Sequence, residues 1–203
     1  MIILESNYFP CISYFKELAN STAVSIDQHE SFKKMSFRNR CIVVGANGLI
    51  NLTVPVEGGR NTKQMVKDVR ISYAENWQQQ HWKTILSSYA KSPFFEYYQN
   101  EIEQLIKKKN TFLIDKNMEI IYWFVKKFKL QTIVKLSSST QSELAIIDFS
   151  CINKWMPSKY VEDNGTAIVY NQMFEDKLGF KENVSVLDLI FCEGPSKNIL
   201  ING

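Results

Sequence analysis

Short apolar runs and longer stripes of 3.6-residue period alternate along this chain, the pattern of strands interleaved with helices. Ile2-Ile3-Leu4 is a brief apolar run that gives way to Ser6-Asn7-Tyr8-Phe9-Pro10. Pro10 suits the first turn of a helix, where a missing N–H has no partner to lose. Tyr14, Phe15, Leu18 and Ala19 then recur at helical spacing, until Asn20-Ser21 interrupts the stripe. Thr22-Ala23-Val24-Ser25-Ile26 reads as a second strand. Strand, helix and strand within about thirty residues is the length of a βαβ unit. Strands 2–7 and 22–27 are therefore expected to pair in parallel, with Asn7 and Gln28 at one rim.

A hairpin follows, with Cys41–Val44 and Leu49–Val54 flanking Gly45-Ala46-Asn47-Gly48. Pro55 and Gly58-Gly59 close it. Residues 74–91 are helical in pattern, with Trp77, His81, Ile85 and Tyr89 four apart on one face. After Ser92-Pro93, residues 94–108 and 116–129 form two further amphipathic helices, and 132–136 another strand. Residues 144–150 read as a strand, and 168–176 and 184–192 as helices. No repeat or low-complexity linker divides the chain. The expectation is one α/β domain over 1–203: a Rossmann-like parallel sheet core with a β-hairpin and a helical insertion over roughly 74–130.

Composition narrows the class. With 45% hydrophobic residues, 26 aromatics, 8 Gly and 5 Pro, the chain can bury a core and is neither disordered nor collagen-like. No apolar run reaches the length of a membrane helix, and the start lacks a basic, cleavable leader. Four scattered cysteines (Cys11, Cys41, Cys151, Cys192) show no metal or redox spacing and read as reduced, buried thiols. These features point to a cytoplasmic protein. Charge is uneven: 11 Lys and Arg face 8 Asp and Glu over residues 1–100, 7 face 4 over 101–130, and 6 face 9 over 131–203. Lys107–Lys109 and Lys126–Lys129 lie at helix ends, where cations complement the macrodipole, so they read as solvated ends rather than a nucleic-acid surface.

In a parallel sheet, ligands lie beyond the carboxyl ends of the strands. That rule selects Asn7, Tyr8, Pro10 and Cys11 after the first strand, Asp27, Gln28, His29 and Glu30 after the second, and Ser137–Ser139 after the third, at 132–136. An imidazole flanked by carboxyl and amide groups can transfer protons near neutral pH, which makes His29 a candidate base. Lys33–Arg40 holds four cations in eight positions. If extended, it places Lys34, Ser36, Arg38 and Arg40 on one face, suited to phosphate or carboxylate or else to protecting a sheet edge. His81 falls on the buried side of its helix, as a core residue or a second candidate base. Two distant histidines do not suggest a metal site, and no nucleophile elbow, Walker A or dinucleotide fingerprint is present. Gly58-Gly59-Arg60 is only a weak echo of a phosphate loop.

Taken in order, Asn7-Tyr8-Phe9-Pro10 with Tyr14-Phe15, Arg38-Asn39-Arg40, Leu52-Thr53-Val54-Pro55-Val56, Trp77 with His81-Trp82, Ser92-Pro93-Phe94-Phe95-Glu96 and Ser185–Phe191 resemble the WbqC-like protein family. Leu4-Glu5-Ser6 stands where relatives often carry His-Gln-Pro, and Ser13 stands where they carry Gly. The resemblance implies a place among surface-polysaccharide and O-antigen gene clusters, without an established reaction, and an association with attaching an amino acid or amine to an activated carrier. The strand–Pro–helix start also looks like nucleotide-binding Rossmann-like folds.

Two functions are in view. The first is a transferase acting on a small, phosphate-bearing substrate such as a nucleotide-sugar. Arg38 and Arg40 would hold the anion, Asn7, Tyr14, Gln28 and Asn39 would orient the substrate, and His29 or His81 would take the proton. The second is a binding or scaffold protein of polysaccharide assembly, with aromatics such as Tyr97-Tyr98 and Tyr122-Trp123 facing a sugar or partner. The residues name no cofactor.

Overall fold

Parallel pairing of the first two strands sets the architecture. The computed structural model describes residues 2–58, 64–138, 154, 156–158 and 167–202. Strand β1 (Ile2–Glu5) leads through helix α1 (Ile12–Asn20) to β2 (Ala23–Asp27), paired in parallel from Ile2↔Val24 to Glu5↔Asp27. Strand β5 (Ile133–Leu136) adds in parallel on the far side of β2, from Ala23↔Ile133 to Ile26↔Leu136, giving the order β1-β2-β5. The expected parallel βαβ unit is thus present, with β1 ending at Glu5 and β2 at Asp27.

The hairpin is also present, as antiparallel β3 (Arg40–Gly45) and β4 (Gly48–Thr53). Its last pair is Gly45↔Gly48, so Ala46 and Asn47 form the turn and Gly48 leaves it at φ 126. Only glycine adopts that angle without strain. Residues 34–39, by contrast, form successive turns, with Met35 at φ 54. Lys34, Ser36, Arg38 and Arg40 therefore do not share a strand face.

Helices α2 (Trp77–Tyr89), α3 (Phe95–Lys107) and α4 (Leu113–Lys127) lie between β4 and β5 in sequence. Phe124 of α4 meets Phe9 and Phe15 at ring separations of 6.2 and 5.3 Å, joining α4 to the β1–α1 segment. Phe9 itself holds φ 40, a strained angle for a bulky residue, and it is sealed in the core. Near the C-terminus come α5 (Glu175–Leu178), the buried α6 (Val186–Glu193) and α7 (Lys197–Asn202), which packs on α1. Ser185 caps α6 by accepting from Leu187 N at 3.3 Å, and its hydroxyl donates to the Phe9 carbonyl at 2.9 Å.

The helix expected over 168–176 shrinks to α5. Residues 167–172 alternate exposed and buried, with Ile168, Tyr170 and Gln172 inward, a period of two that belongs to extended chain. Neither α7 nor the 3₁₀ turn at Val66–Asp68 was anticipated. The strand expected at 144–150 lies outside the described residues, as do Gly59, Arg60, Ser139 and Cys151. Among the described residues, no helix is long and apolar enough to cross a membrane.

Helix α4 ends in a Schellman turn: Leu130 N donates to Val125 O at 3.0 Å and Lys129 N to Lys126 O at 3.1 Å. Lys129 occupies the left-handed position at φ 52, where glycine is the unstrained residue. Lys129→Gly is expected to raise stability by about 0.5–1 kcal/mol, read as a higher urea midpoint at unchanged slope. A lowered midpoint would mean that the left-handed lysine carries no strain.

Candidate functional site

The parallel register brings the carboxyl ends of β1, β2 and β5 to one rim. Ser137 N donates to Ile26 O at 2.9 Å, placing Ser137 beside the residues that follow β2. Gln28 N donates to Ser137 Oγ at 3.3 Å, and the Gln28 side-chain amide donates to the Ser137 carbonyl. His29 N donates to Asp27 Oδ1 at 2.9 Å, an Asx-type turn that swings the chain out of β2 and leaves His29 half-buried. Val66 N and Lys67 N then donate to the carbonyls of Glu30 and Gln28 at 2.9 and 3.0 Å, fixing this loop from its other side.

Beneath the loop lies a sealed ion pair. Arg38 Nε donates to Glu30 Oε1 at 2.7 Å and its Nη2 to Glu30 Oε2, while Nη2 also sits 3.5 Å from Glu5 Oε1. The Arg38, Glu5 and Glu30 side chains are 1, 2 and 7% exposed. Burial pushes the Glu30 carboxyl up, and Arg38 pulls it partly back. Asn117, on α4, closes the arrangement by donating to Ser6 O at 3.0 Å, Ser6 Oγ at 3.1 Å and Arg38 O at 2.7 Å. Tyr14 donates its hydroxyl to Glu5 O at 2.8 Å.

The residues selected from the sequence fall into separate settings. Asn7, Gln28 and His29 stand at the rim with Ser137, whereas Arg38 is engaged by carboxylates below it. Asn39 donates to Val54 O at 2.9 Å, which ties it to the end of the hairpin. Arg40 uses Nε to reach Thr53 Oγ1 at 3.1 Å, and its Nη atoms make no bond among the described residues.

His81 occupies a pocket of its own. It is 4% exposed, 5.0 Å from the Trp77 ring, with Tyr8 OH 3.0 Å from Nδ1 and Thr53 O 3.2 Å from Nε2. A carbonyl only accepts, so Nε2 carries the proton, and Nδ1 accepts from the Tyr8 hydroxyl. Burial lowers the His81 pKa to about 4. This neutral, doubly bonded imidazole holds the β1 exit against the hairpin.

Glu5 and Asn117 were not singled out as site residues from sequence, whereas Tyr8 was selected with the residues after the first strand. Asn117 had a readable signal: it lies four residues from both Leu113 and Ile121, a lone amide on an apolar stripe. Nothing in the sequence pairs Glu5 with Arg38, because the partners are 33 positions apart on separate elements.

A parallel sheet whose carboxyl rim gathers an imidazole, carboxylates and amides over a buried ion pair defines an α/β protein with a cluster of polar groups at the carboxyl end of the sheet. The chain belongs to the WbqC-like protein family, whose model matches residues 5–167. It is similar to the uncharacterized protein Rv1507c of Mycobacterium tuberculosis (strain ATCC 25618 / H37Rv), with 28% identity over 93 residues, 46% of this chain and 40% of that one. The match thus spans well under half of the curated relative. No solved structure matches the chain.

Two outcomes follow from the electrostatics. Arg38→Leu leaves Glu5 and Glu30 buried without their cation and is expected to cost about 3–5 kcal/mol in urea denaturation. Arg40→Ala should cost less than about 1 kcal/mol, so equal losses would mean that the ion pair is not the fold's anchor. His81 sets a pH dependence. Its folded pKa of about 4 lies below the ordinary 6.5, so the unfolded chain takes up this proton first. Its contribution is intact above pH 6.5 and lost as pH falls toward 4, by about 3 kcal/mol in all. Measured against native protein, His81→Asn should flatten the stability–pH slope in that window. An unchanged slope would refute the neutral-imidazole assignment.

Proposed function

We propose that the protein is a group-transfer enzyme that moves an amino-acid, amine or related group onto an activated, phosphate-bearing substrate in surface-polysaccharide biosynthesis. The observation that carries this reading is His29, half-buried at the carboxyl rim of the parallel sheet, adjoining a glutamate locked to Arg38. In the reaction, the N–H or O–H bond of the incoming group breaks as its lone pair attacks the activated centre of the substrate and forms the new bond there. The proton passes to His29, and the phosphate-bearing leaving group departs with the bonding electron pair toward Arg40. Arg38 is then a positioning residue that orients Glu30 and the loop carrying His29, while Asn7 and Gln28 align the substrate.

A second reading, a non-catalytic binding or scaffold protein, is favoured by one observation. Most of the candidate polar groups are bonded within the fold: Arg38 to Glu30 and Gln28 to Ser137 at and below the rim, and His81 to Tyr8 and Thr53 in its own pocket.

The test begins with thermal-shift screening against nucleotide-sugars, sugar phosphates, amino acids and amines. A ligand at 100 times its Kd adds about 2.7 kcal/mol. With a responding pair in hand, His29→Ala is expected to cut turnover about 10²–10⁴-fold at unchanged melting temperature. Arg40→Ala should weaken the phosphate-bearing ligand by about 1.5–3 kcal/mol. Binding without turnover, or full turnover in His29→Ala, would transfer the assignment to the scaffold reading or to another base respectively.

A further inference from the structure

Helices α3 and α4 lie side by side and leave a groove of about 480 Å³ whose walls include Leu105, Lys108, Glu119, Tyr122, Trp123 and Lys126. A second cavity of about 430 Å³ adjoins it, sharing Lys108, Glu119 and Tyr122 and reaching Leu136 on β5. Beside this concave surface stand exposed apolar groups. Tyr122 is 46% exposed, and Ile133 and Leu136 of β5 are also exposed. The Tyr122 hydroxyl donates to the Val134 carbonyl at 3.3 Å, so the ring is held against β5 rather than left to swing. Trp123 is held too, by donation from Nε1 to Glu101 Oε2 at 2.8 Å. Pre-fixed aromatics beside a hole, with charges at the edges, are the make-up of an interface core and rim.

The charges identify the occupant. Glu119 and Lys126 stand seven residues apart, two turns along one face of α4, with Tyr122 and Trp123 between them. A two-fold axis passing between Tyr122 and Trp123, perpendicular to α4, would set Glu119 of each protomer against Lys126 of the other. Opposite charges would meet twice, and the Tyr122 rings would meet near the axis. Both groups have capacity for it. Lys126 is exposed and makes no ion pair among the described residues, and Lys108 engages only Oε1 of Glu119, leaving Oε2. We propose that this face docks a second copy of the chain, α3 and α4 of each protomer forming an antiparallel four-helix contact about a two-fold axis near Tyr122. An isologous contact requires a self-complementary surface, and the Glu119 and Lys126 charges are self-complementary about that axis. The inference rests on the helical pair alone and is independent of the reading given to His29.

Sedimentation velocity on the full chain tests it. The native protein is expected to be a dimer with a Kd of about 1 μM or tighter. Lys126→Glu and Glu119→Lys, each placing like charges together at both symmetric positions, should weaken it at least about tenfold. Because both sites are at the surface, circular dichroism should report native helix content for each. The decisive arm mixes the two variants in equal amounts. The mixed pair restores Glu–Lys contacts at both positions, so a heterodimer should form where neither variant dimerises alone. A native chain monomeric at about 100 μM, charge reversals that leave dimerisation intact, or a mixture that stays monomeric would each overturn the proposal. In the first case the groove would be left to a small ligand or a different protein.

Discussion

Everything at the carboxyl rim depends on a guanidinium held between two carboxylates inside the fold. Arg38 joins Glu5, the last residue of β1, to Glu30, three residues beyond β2. Isolated, each of these ions would be expensive to bury; together they are tolerable because the Arg38–Glu30 contact is a two-bond fork. The pair therefore favours one placement of the loop after β2 over its alternatives, since any displacement leaves a charge without its partner. Asn117 extends that constraint to α4, because its amide spans the main chain of Ser6 and of Arg38. Sheet, turn segment and helix are thus locked by groups contributed from four distant stretches of sequence.

The same region shows where a sequence can and cannot be read. The βαβ unit was legible because a short apolar run, a proline at a helix start and a second apolar run are local signals with one economical interpretation. His81 was legible as an inward-facing residue for the same reason, since Trp77 and Ile85 define its helical face. Arg38 was not. An arginine in a cation-rich stretch looks available for an anion, and its engagement by Glu5 and Glu30 emerges only when chain segments meet in three dimensions. The turns over 34–39 compound this, because they remove the strand alternation that put Arg38 and Arg40 on one face. Residues 167–172 illustrate the opposite failure. Their period of two was present in Ile168, Tyr170 and Gln172, but a polar residue at an inward position conceals the pattern until its partner is known. That partner is Asp188, whose Oδ2 accepts from Tyr170 OH at 2.5 Å and from Gln172 Nε2 at 3.0 Å.

Buried ionisable groups elsewhere in the molecule sharpen what is distinctive at the rim. Asp188 is enclosed, its pKa raised by burial, and its Oδ2 is held inside the fold by Tyr170 and Gln172 while Oδ1 has no hydrogen-bond partner among the described residues. Lys116 is enclosed as well, its pKa lowered to about 8 by burial, and it donates to the carbonyls of Leu105 and Lys108 where α3 ends. A cation at that point complements the helix dipole and satisfies carbonyls that have no intrahelical partner. Arg38 belongs in this company: its charge is answered inside the fold. His29 and Arg40 do not. Both are only half-buried, the His29 ring makes no hydrogen bond among the described residues, and the Arg40 Nη atoms likewise make none. Groups whose bonding capacity is consumed by the fold hold the framework still, whereas those left with capacity at its edge are the ones able to meet a ligand. The division between a side chain answered inside the fold and one with unused donors among the described residues therefore runs between Arg38 and Arg40, two arginines separated in sequence by Asn39 alone.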